Sequence, residues 1–120
     1  MHFTKLVPNV FYADIKDGLT MFVDCLEFTI GHNEINTANP FCVVEKDGLR
    51  VNIFQNAAYA EKDHPEFRLV THNIEEVYER VSSKFPELLH PNLRKITLRP
   101  WNAKEFALMD GQIGIIVQEW

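Results

Sequence analysis

The 120-residue sequence contains no run that approaches the roughly 20 consecutive apolar residues of a membrane-spanning helix. Its first residues, Met1-His2-Phe3-Thr4-Lys5, lead directly into a strand-like segment and lack the apolar core of a secretory signal peptide. These two absences predict a cytoplasmic protein without a membrane partner.

The sequence also lacks an excess of basic residues and any basic stripe. Lysine and arginine together number 12, against 17 aspartate and glutamate residues, so the formal net charge is −5. Because nucleic-acid binding draws on concentrated lysine and arginine side chains, this balance argues against a nucleic-acid partner.

Cysteine is scarce: the chain has only Cys25 and Cys42, the first in a predicted helix and the second in a predicted strand. Their spacing matches no metal or redox motif, so reduced, buried thiols are a better interpretation than a disulfide or a nucleophile. A nucleophile motif, a glycine-rich phosphate loop and a dinucleotide fingerprint are also missing. No cofactor is therefore expected.

Apolar residues, in contrast, are plentiful, and two stretches of the chain share one pattern. They are Phe41–Gln55, centred on Asp47-Gly48, and Arg99–Trp120, centred on Asp110-Gly111. Asp-Gly between two apolar-rich runs predicts a β-hairpin with a tight type I′ turn, because both turn residues must tolerate positive φ. We therefore expect two similar hairpins.

A strand and a helix are predicted ahead of each hairpin. Asp14 and Asn73 are both predicted to cap helix N-termini, and apolar residues follow each at helical spacing. The second helix is expected to end at Pro86, and Asn56–Pro65 is expected to be a connecting loop. Four further segments are predicted to be strands: Lys5–Ala13, Phe28–Ile35, Glu66–Thr71 and Leu93–Leu98.

The two halves of the chain thus repeat one order of elements: a strand, a helix, then three strands. This predicts a single α+β domain over residues 1–120 that consists of two βαβββ modules, approximately 1–60 and 61–120. A unit this small cannot bury its sheet alone. Two modules, or one module and a partner chain, are expected to form a curved mixed sheet around a cleft.

The βαβββ repeat resembles the vicinal oxygen chelate superfamily, which includes glyoxalase I, extradiol dioxygenases and bleomycin resistance proteins. The segment Arg99-Pro100-Trp101-Asn102-Ala103-Lys104-Glu105-Phe106 looks like a Pro-Trp-Gly-x-Arg-Glu-Phe stretch of the bleomycin resistance type. Asn102 replaces a common glycine, Lys104 replaces an arginine, and the final turn is two residues shorter than usual. The resemblance implies a homodimer, often with modules exchanged between chains, and is weakly specific for activity.

Metal-dependent members of that superfamily hold one divalent ion with a histidine or carboxylate from each of four strands. Carried over by position, these sites fall near Val7, Asn52, Glu66 and Ile115, of which only Glu66 is a good ligand. Glu119 shares a strand face with Ile115, so a misjudged register would place it there. The first strand still offers no donor, and we expect no metal site.

Alternation along strands predicts which side chains line the cleft. If Asn52 faces inward, then Arg50 and Phe54 do so too, and if Glu66 faces inward, so does Arg68. On the first strand the matching residues are Asn9 and Phe11. An apolar, aromatic lining with a few polar groups is usual for a small-molecule pocket. The alternative is that Glu66 and Arg68 belong to a ladder of opposite charges on the surface.

Trp101 follows Pro100 in a turn-prone segment. Its ring is suited to stack on a planar ligand or on a partner subunit, and packing as a structural cover explains it equally well.

Two functions remain open at this point. The first is a metal-independent protein of the bleomycin resistance type that sequesters a small molecule in a cleft at a homodimer interface. The second is a glyoxalase- or dioxygenase-like enzyme (a lyase, isomerase or oxygenase) with a degenerate site, in which Glu66 is the one candidate catalytic base. A third, less informative possibility is an interaction module that has lost its ligand.

Overall fold

The structure is a computed structural model that describes every residue from Met1 to Trp120. Three α-helices are present, α1 (Ile15–Leu19), α2 (Ala57–Lys62) and α3 (Ile74–Lys84), together with a π-helix (Thr20–Cys25) and a 3₁₀ turn (Pro86–Leu88). The eight strands are β1 (Asn9–Tyr12), β2 (Thr29–Glu34), β3 (Phe41–Lys46), β4 (Leu49–Gln55), β5 (Glu66–Val70), β6 (Thr97–Leu98), β7 (Lys104–Met109) and β8 (Gly114–Glu119).

The chain forms two compact units, Met1–Asp63 and His64–Trp120. Each unit contains one four-stranded sheet, with strand order β1-β4-β3-β2 in the first and β5-β8-β7-β6 in the second. In both sheets the first strand pairs in parallel with the last strand of its unit, and the other pairings are antiparallel. The α+β class and the repeated βαβββ module are therefore confirmed. None of the helices is long and apolar enough to cross a membrane.

In the first unit, helix α1 begins where the sequence predicts. The side chain of Asp14, whose backbone is extended, accepts a hydrogen bond of 3.0 Å from the backbone N–H of Lys16. This satisfies one of the N–H groups that the first helical turn leaves without a partner. The helix continues directly into the π-helix, and Ile15, Met21 and Phe22 are buried with the strand residues behind them.

Gly18 allows α1 to approach the sheet closely. A Cβ atom there would lie 2.8 Å from Tyr12 Cε2 and 3.0 Å from Ile53 Cγ2, and both of those side chains are buried. We expect Gly18→Ala to lower the free energy of unfolding by about 1–3 kcal/mol, because the overpacking cost exceeds the ~1 kcal/mol that alanine gains in a helix. Urea unfolding measures this change.

Gly114→Ala is the matched control for that prediction. A Cβ atom at Gly114 would have its nearest neighbour at 3.8 Å, an ordinary van der Waals distance. An unchanged urea midpoint for Gly18→Ala would show that α1 tolerates a wider separation from its sheet.

In the second unit, two side chains cap the N-terminus of helix α3. The side chain of Asn73 accepts a 3.3 Å hydrogen bond from the N–H of Glu76, as the predicted N-cap requires. The Glu119 carboxylate, at the end of β8, accepts a 2.8 Å bond from the N–H of Ile74. The helix ends at Lys84, two residues before Pro86, since proline cannot continue an α-helix.

The two hairpin turns differ. Asp47 and Gly48 have φ of 52° and 82°, as the predicted type I′ turn requires. The second connection has four residues, from Asp110 to Ile113, so the tight Asp110-Gly111 turn predicted from sequence is wrong. The Asp110 carboxylate accepts hydrogen bonds from the N–H groups of Gln112 (3.0 Å) and Ile113 (2.9 Å), which stabilises the wider loop.

Two other segments also depart from the sequence-based expectation. The connection predicted as a loop over Asn56–Pro65 contains helix α2, which Asn56 caps by accepting a 3.0 Å bond from the N–H of Tyr59. In the segment Leu93–Leu98, only Thr97–Leu98 forms a strand.

Candidate functional site

The open face of the first sheet, opposite its buried side, carries the residues that alternation selected. Buried and partly exposed side chains alternate along β1 and β4. The register pairs Asn9 with Asn52 and Phe11 with Phe54. The structure thus brings five of the predicted lining residues to one face, and they are Asn9, Phe11, Arg50, Asn52 and Phe54.

Aromatic rings form a continuous row across this face. The Phe54 ring stacks between Phe11 (centroids 5.5 Å apart, planes at 26°) and Phe41 (4.7 Å, 24°). Tyr59, from α2, packs its ring edge-on against Phe11 at 5.1 Å. We call Tyr59, Phe11, Phe54 and Phe41 the aromatic row. The three phenylalanine rings are half-buried, and Tyr59 is exposed.

Sequence reasoning missed Phe41, although a signal for it was present. The two-residue turn at Asp47-Gly48 pairs Lys46 with Leu49, and counting back along both strands then pairs Phe41 with Phe54. Directly opposed residues in a sheet have side chains on the same face. Tyr59 gave no comparable signal, because α2 itself was not predicted.

Polar groups lie beside the aromatic row on the same face. Two residues along β4 from Phe54, the amide of Asn52 donates a 3.0 Å hydrogen bond to the side-chain oxygen of Asn9. Two residues further, Arg50 Nη2 lies 2.8 Å from Glu45 Oε1, while Arg50 Nε is buried without a hydrogen-bond partner. Along β4 the face therefore presents first the aromatic row, then the amide pair and then the ion pair.

A small cavity of about 240 Å³ lies at the ion-pair end of this face. Its lining is mostly polar and consists of Lys5, Thr29, Glu45, Lys46, Asp47, Gly48, Leu49 and Arg50. Its volume is below the roughly 300–1,000 Å³ of typical ligand pockets, so by itself it does not define a drug-sized site.

The positions carried over for a metal do not gather ligands. Val7 precedes β1, and Ile115 is buried on the side of its sheet that α3 covers, since the register pairs Glu66 with Gly114. The placement of Ile115 on the Glu66 face is therefore wrong by one residue. Glu119, on the same face as Ile115, caps α3. No group of three or more His, Cys, Asp and Glu side chains is arranged to hold a metal ion.

On the open face of the second sheet, Glu66 and Arg68 lie on the same side of β5, and both are exposed. Glu66 is thus solvated rather than enclosed. Arg68 Nη1, in contrast, donates a 3.1 Å hydrogen bond to Glu105, a carboxylate on β7 that sequence reasoning did not select.

Glu105 is the centre of a polar cluster and is only 1 % exposed. Its Oε2 accepts hydrogen bonds from Arg68, from Trp101 Nε1 (2.9 Å) and from Gln118 Nε2 (2.6 Å). Arg99 completes the group, with its Nε 3.8 Å from Glu105 Oε1 and its guanidinium carbon 4.9 Å from the centroid of the Trp101 ring. We call these five residues the Glu105 cluster.

The error in the predicted turn at Asp110-Gly111 explains why sequence reasoning did not find the Glu105 cluster. A two-residue turn at Asp110-Gly111 would place Glu105 opposite Ile116, an apolar residue. The four-residue connection places it opposite Gln118, whose amide is its shortest hydrogen-bond donor. The Trp101 ring, left open between ligand contact and structural cover, has its N–H engaged by Glu105 and Arg99 over its ring.

Burial of Glu105 tends to raise the pKa of its carboxyl. The hydrogen bonds from Trp101 and Gln118 and the positive charges of Arg68 and Arg99 outweigh that effect, so the pKa is lowered from its ordinary value. The carboxylate is therefore ionised at neutral pH.

This lowered pKa makes stability depend on pH. Ionised Glu105 stabilises the fold above the unfolded-state pKa of about 4.3, and that contribution is lost as the pH falls through the lower, folded-state pKa. We expect the free energy of unfolding of the wild type to fall more steeply below pH ~4.3 than that of Glu105→Gln. Urea unfolding across the acid range tests this, and parallel profiles would contradict it.

No protein-family model matches the sequence, and no curated protein is similar to it at a significant level. Solved structures, in contrast, match over nearly the whole chain. The protein has the fold of the glyoxalase/bleomycin resistance protein/dioxygenase superfamily, as the sequence pattern predicted.

Three solved structures illustrate the match. A bleomycin-binding protein complexed with bleomycin superposes with a TM-score of 0.71 at 17% identity, over 98% of this chain and 99% of that one. TioX from Micromonospora sp. ML1 gives 0.79 at 10% identity, over 98% of each chain. A superfamily member from Sphaerobacter thermophilus gives 0.70 at 16% identity, over 99% and 98%. At these identities the likeness establishes the fold.

Proposed function

We propose that this protein is a metal-independent small-molecule binding protein of the bleomycin resistance type, which sequesters a planar ligand at a homodimer interface. The observation that carries the proposal is the aromatic row, half-buried across the open face of the first sheet. The bleomycin-binding neighbour shows that this fold accommodates a small molecule, and here that fact supports the proposal without identifying the ligand.

The aromatic row is suited to a flat ligand. Phe11, Phe54 and Phe41 lie at 5.5 and 4.7 Å with nearly parallel planes, so these rings stack on one another, and a further ring laid across the row makes edge-to-face contacts like that of Tyr59 with Phe11. Such aromatic pairs contribute about 0.5–1.5 kcal/mol each beyond the area they bury. The Asn9–Asn52 amide pair and the Arg50–Glu45 ion pair supply the few polar groups that orient a ligand.

A second copy of the chain is part of the proposal for a physical reason. Small-molecule sites typically bury about 70–90% of the ligand surface, and an open sheet face covers a flat molecule on one side only. A second protein surface must therefore cover the other side, and we propose that a partner subunit supplies it. Sedimentation with and without ligand tests this, and a monomer in both states would contradict it.

Two probes test binding at the aromatic row: bleomycin, and acridine at mildly alkaline pH, where its ring is uncharged. We expect calorimetry to detect binding of at least the planar acridine, and Phe54→Leu to weaken it roughly 5- to 10-fold through loss of the aromatic contact. Phe3→Leu is the matched control, because Phe3 is exposed outside the row. Equal affinities for the wild type and Phe54→Leu would contradict the proposal.

The enzymatic alternative gains no support from the geometry. A general base must be held within hydrogen-bond reach of its substrate in an enclosed site, whereas Glu66, the one candidate, is an exposed residue at the start of β5.

A further inference from the structure

The Glu105 cluster carries more positive than negative charge. Two guanidinium groups, those of Arg68 and Arg99, face the single carboxylate of Glu105. The five residues of the cluster thus carry a net charge of +1 in a chain whose overall charge is −5. One positive charge therefore has no opposite charge within the cluster.

Most of the donor capacity of the two arginines is unused within the chain. A guanidinium has five N–H donors. Arg68 directs only Nη1 to Glu105, and Arg99 makes a 3.8 Å ion pair while its Nε, although buried, has no hydrogen-bond partner. The Arg68 and Arg99 side chains are 46% and 34% exposed, which leaves them accessible to a ligand.

The cluster also holds these groups in fixed positions. Buried Glu105 anchors Arg68 and the Trp101 indole through one oxygen, and Gln118 braces the same oxygen. Trp101 in turn lies beneath the Arg99 guanidinium. Arginine donors positioned in advance lose less side-chain entropy when they bind an anion, which favours recognition.

Aromatic surface lies next to the unused donors. Trp101 is 46% exposed and Trp120 is 70% exposed. The N–H of Trp120 donates a 3.1 Å hydrogen bond to Gln118, which ties its ring to the cluster. A ligand held by the arginines would therefore meet indole rings beside its charged group.

We propose that Arg68, Arg99 and Trp101 form a binding site for the carboxylate of a small aromatic acid. The planar carboxylate matches the guanidinium fork, its single negative charge balances the surplus of +1, and its ring packs against exposed indole. The proposal rests on residues of the second unit alone and is independent of the aromatic row.

The test uses 4-nitrobenzoate and its uncharged analogue 4-nitrobenzamide, whose nitro groups quench indole fluorescence. Trp101 and Trp120 are the only tryptophans in the chain, so quenching of intrinsic fluorescence reports on this region specifically. We expect saturable quenching by the acid and at least about tenfold weaker binding of the amide, since charge-assisted hydrogen bonds are lost.

Variants assign the effect to residues. Arg68→Gln and Arg99→Gln are each expected to weaken binding of the acid about tenfold or more. Arg94→Gln, which makes the same charge change at an exposed position of the same unit, is expected to bind as the wild type does. Arg99→Lys keeps the positive charge but not the planar fork of the guanidinium, and we expect it to bind the acid more weakly than the wild type does. This variant replaces a glutamine variant that fails to fold.

Four outcomes would overturn this inference. The amide binding as tightly as the acid would show stacking without anion recognition, and Arg94→Gln weakening binding as much as the cluster variants would show a general charge effect. Wild-type affinity in Arg99→Lys would show that the fork is not used. Displacement of the acid by sulfate but not by acetate, at equal ionic strength, would show an inorganic oxyanion site. Phe54→Leu should leave binding of the acid unchanged, which separates this test from that of the aromatic row.

Discussion

Glu105→Ala is expected to lower the free energy of unfolding by about 3 kcal/mol. The substitution removes the one acceptor shared by Arg68, Trp101 and Gln118 and leaves their donors without a protein partner. Leaving a buried donor such as the Gln118 amide unsatisfied costs about 1–3 kcal/mol, and the lost hydrogen bonds from Arg68 and Trp101 add to this cost. Urea unfolding measures the change.

Glu66→Ala is the matched control for Glu105→Ala, because it removes an exposed carboxylate from the same sheet. Its effect is expected to stay within about 0.5 kcal/mol. If both variants lose the same small amount, the Glu105 cluster does not stabilise the second unit.

Phe106→Ala is expected to cost about 3–5 kcal/mol, through lost burial and the cavity that remains. Phe106 is fully buried and follows Glu105 on β7, and its ring meets that of Tyr78 on α3 edge-on at 5.2 Å. It therefore links the helix to the sheet. Phe106→Leu keeps most of the apolar volume and is expected to cost only ~1 kcal/mol.

Near-ultraviolet circular dichroism and urea unfolding together check the Phe106 variants. The structure predicts that Phe106→Ala loses both aromatic signal and stability. A loss equal to that of Phe106→Leu would mean that the site relaxes to fill the cavity, and that Tyr78 packing does not depend on this ring.

Glu105 and Phe106, neighbours on β7, show why the exposed face of the first sheet was easier to predict than that of the second. Along β4, partly exposed Asn52 and Phe54 alternate with buried Val51 and Ile53, so the pattern separates the two faces. Along β7 the residues from Glu105 to Leu108 are all buried, because the polar cluster covers one face and α3 the other. Alternation then carries no information about which side is open.

Turn chemistry set the other limit on prediction. At Asp47-Gly48 the dipeptide forms the expected turn, and the register of the first hairpin follows from it. At Asp110-Gly111 the same dipeptide starts a wider loop because the Asp110 carboxylate binds two backbone N–H groups beyond it. Local sequence does not distinguish these outcomes, and the resulting shift of two residues concealed the contact between Glu105 and Gln118.

Helix capping, in contrast, was predictable because it depends on local chemistry. Asp14 and Asn73 each cap the helix that the apolar spacing indicated. Asn56 does the same for α2, yet the six-residue helix that follows it is too short for a periodic apolar pattern to indicate it. That is why Tyr59, the edge of the aromatic row, was outside the predicted lining.

Amide NMR spectra recorded during titration with acridine test most directly whether the aromatic row binds a planar ligand. We expect the largest saturable changes in chemical shift at the amides of Phe11, Phe41 and Phe54, and a weaker response in Phe54→Leu. Saturable changes confined to other residues, with these three amides unmoved, would contradict the claim and place the ligand elsewhere.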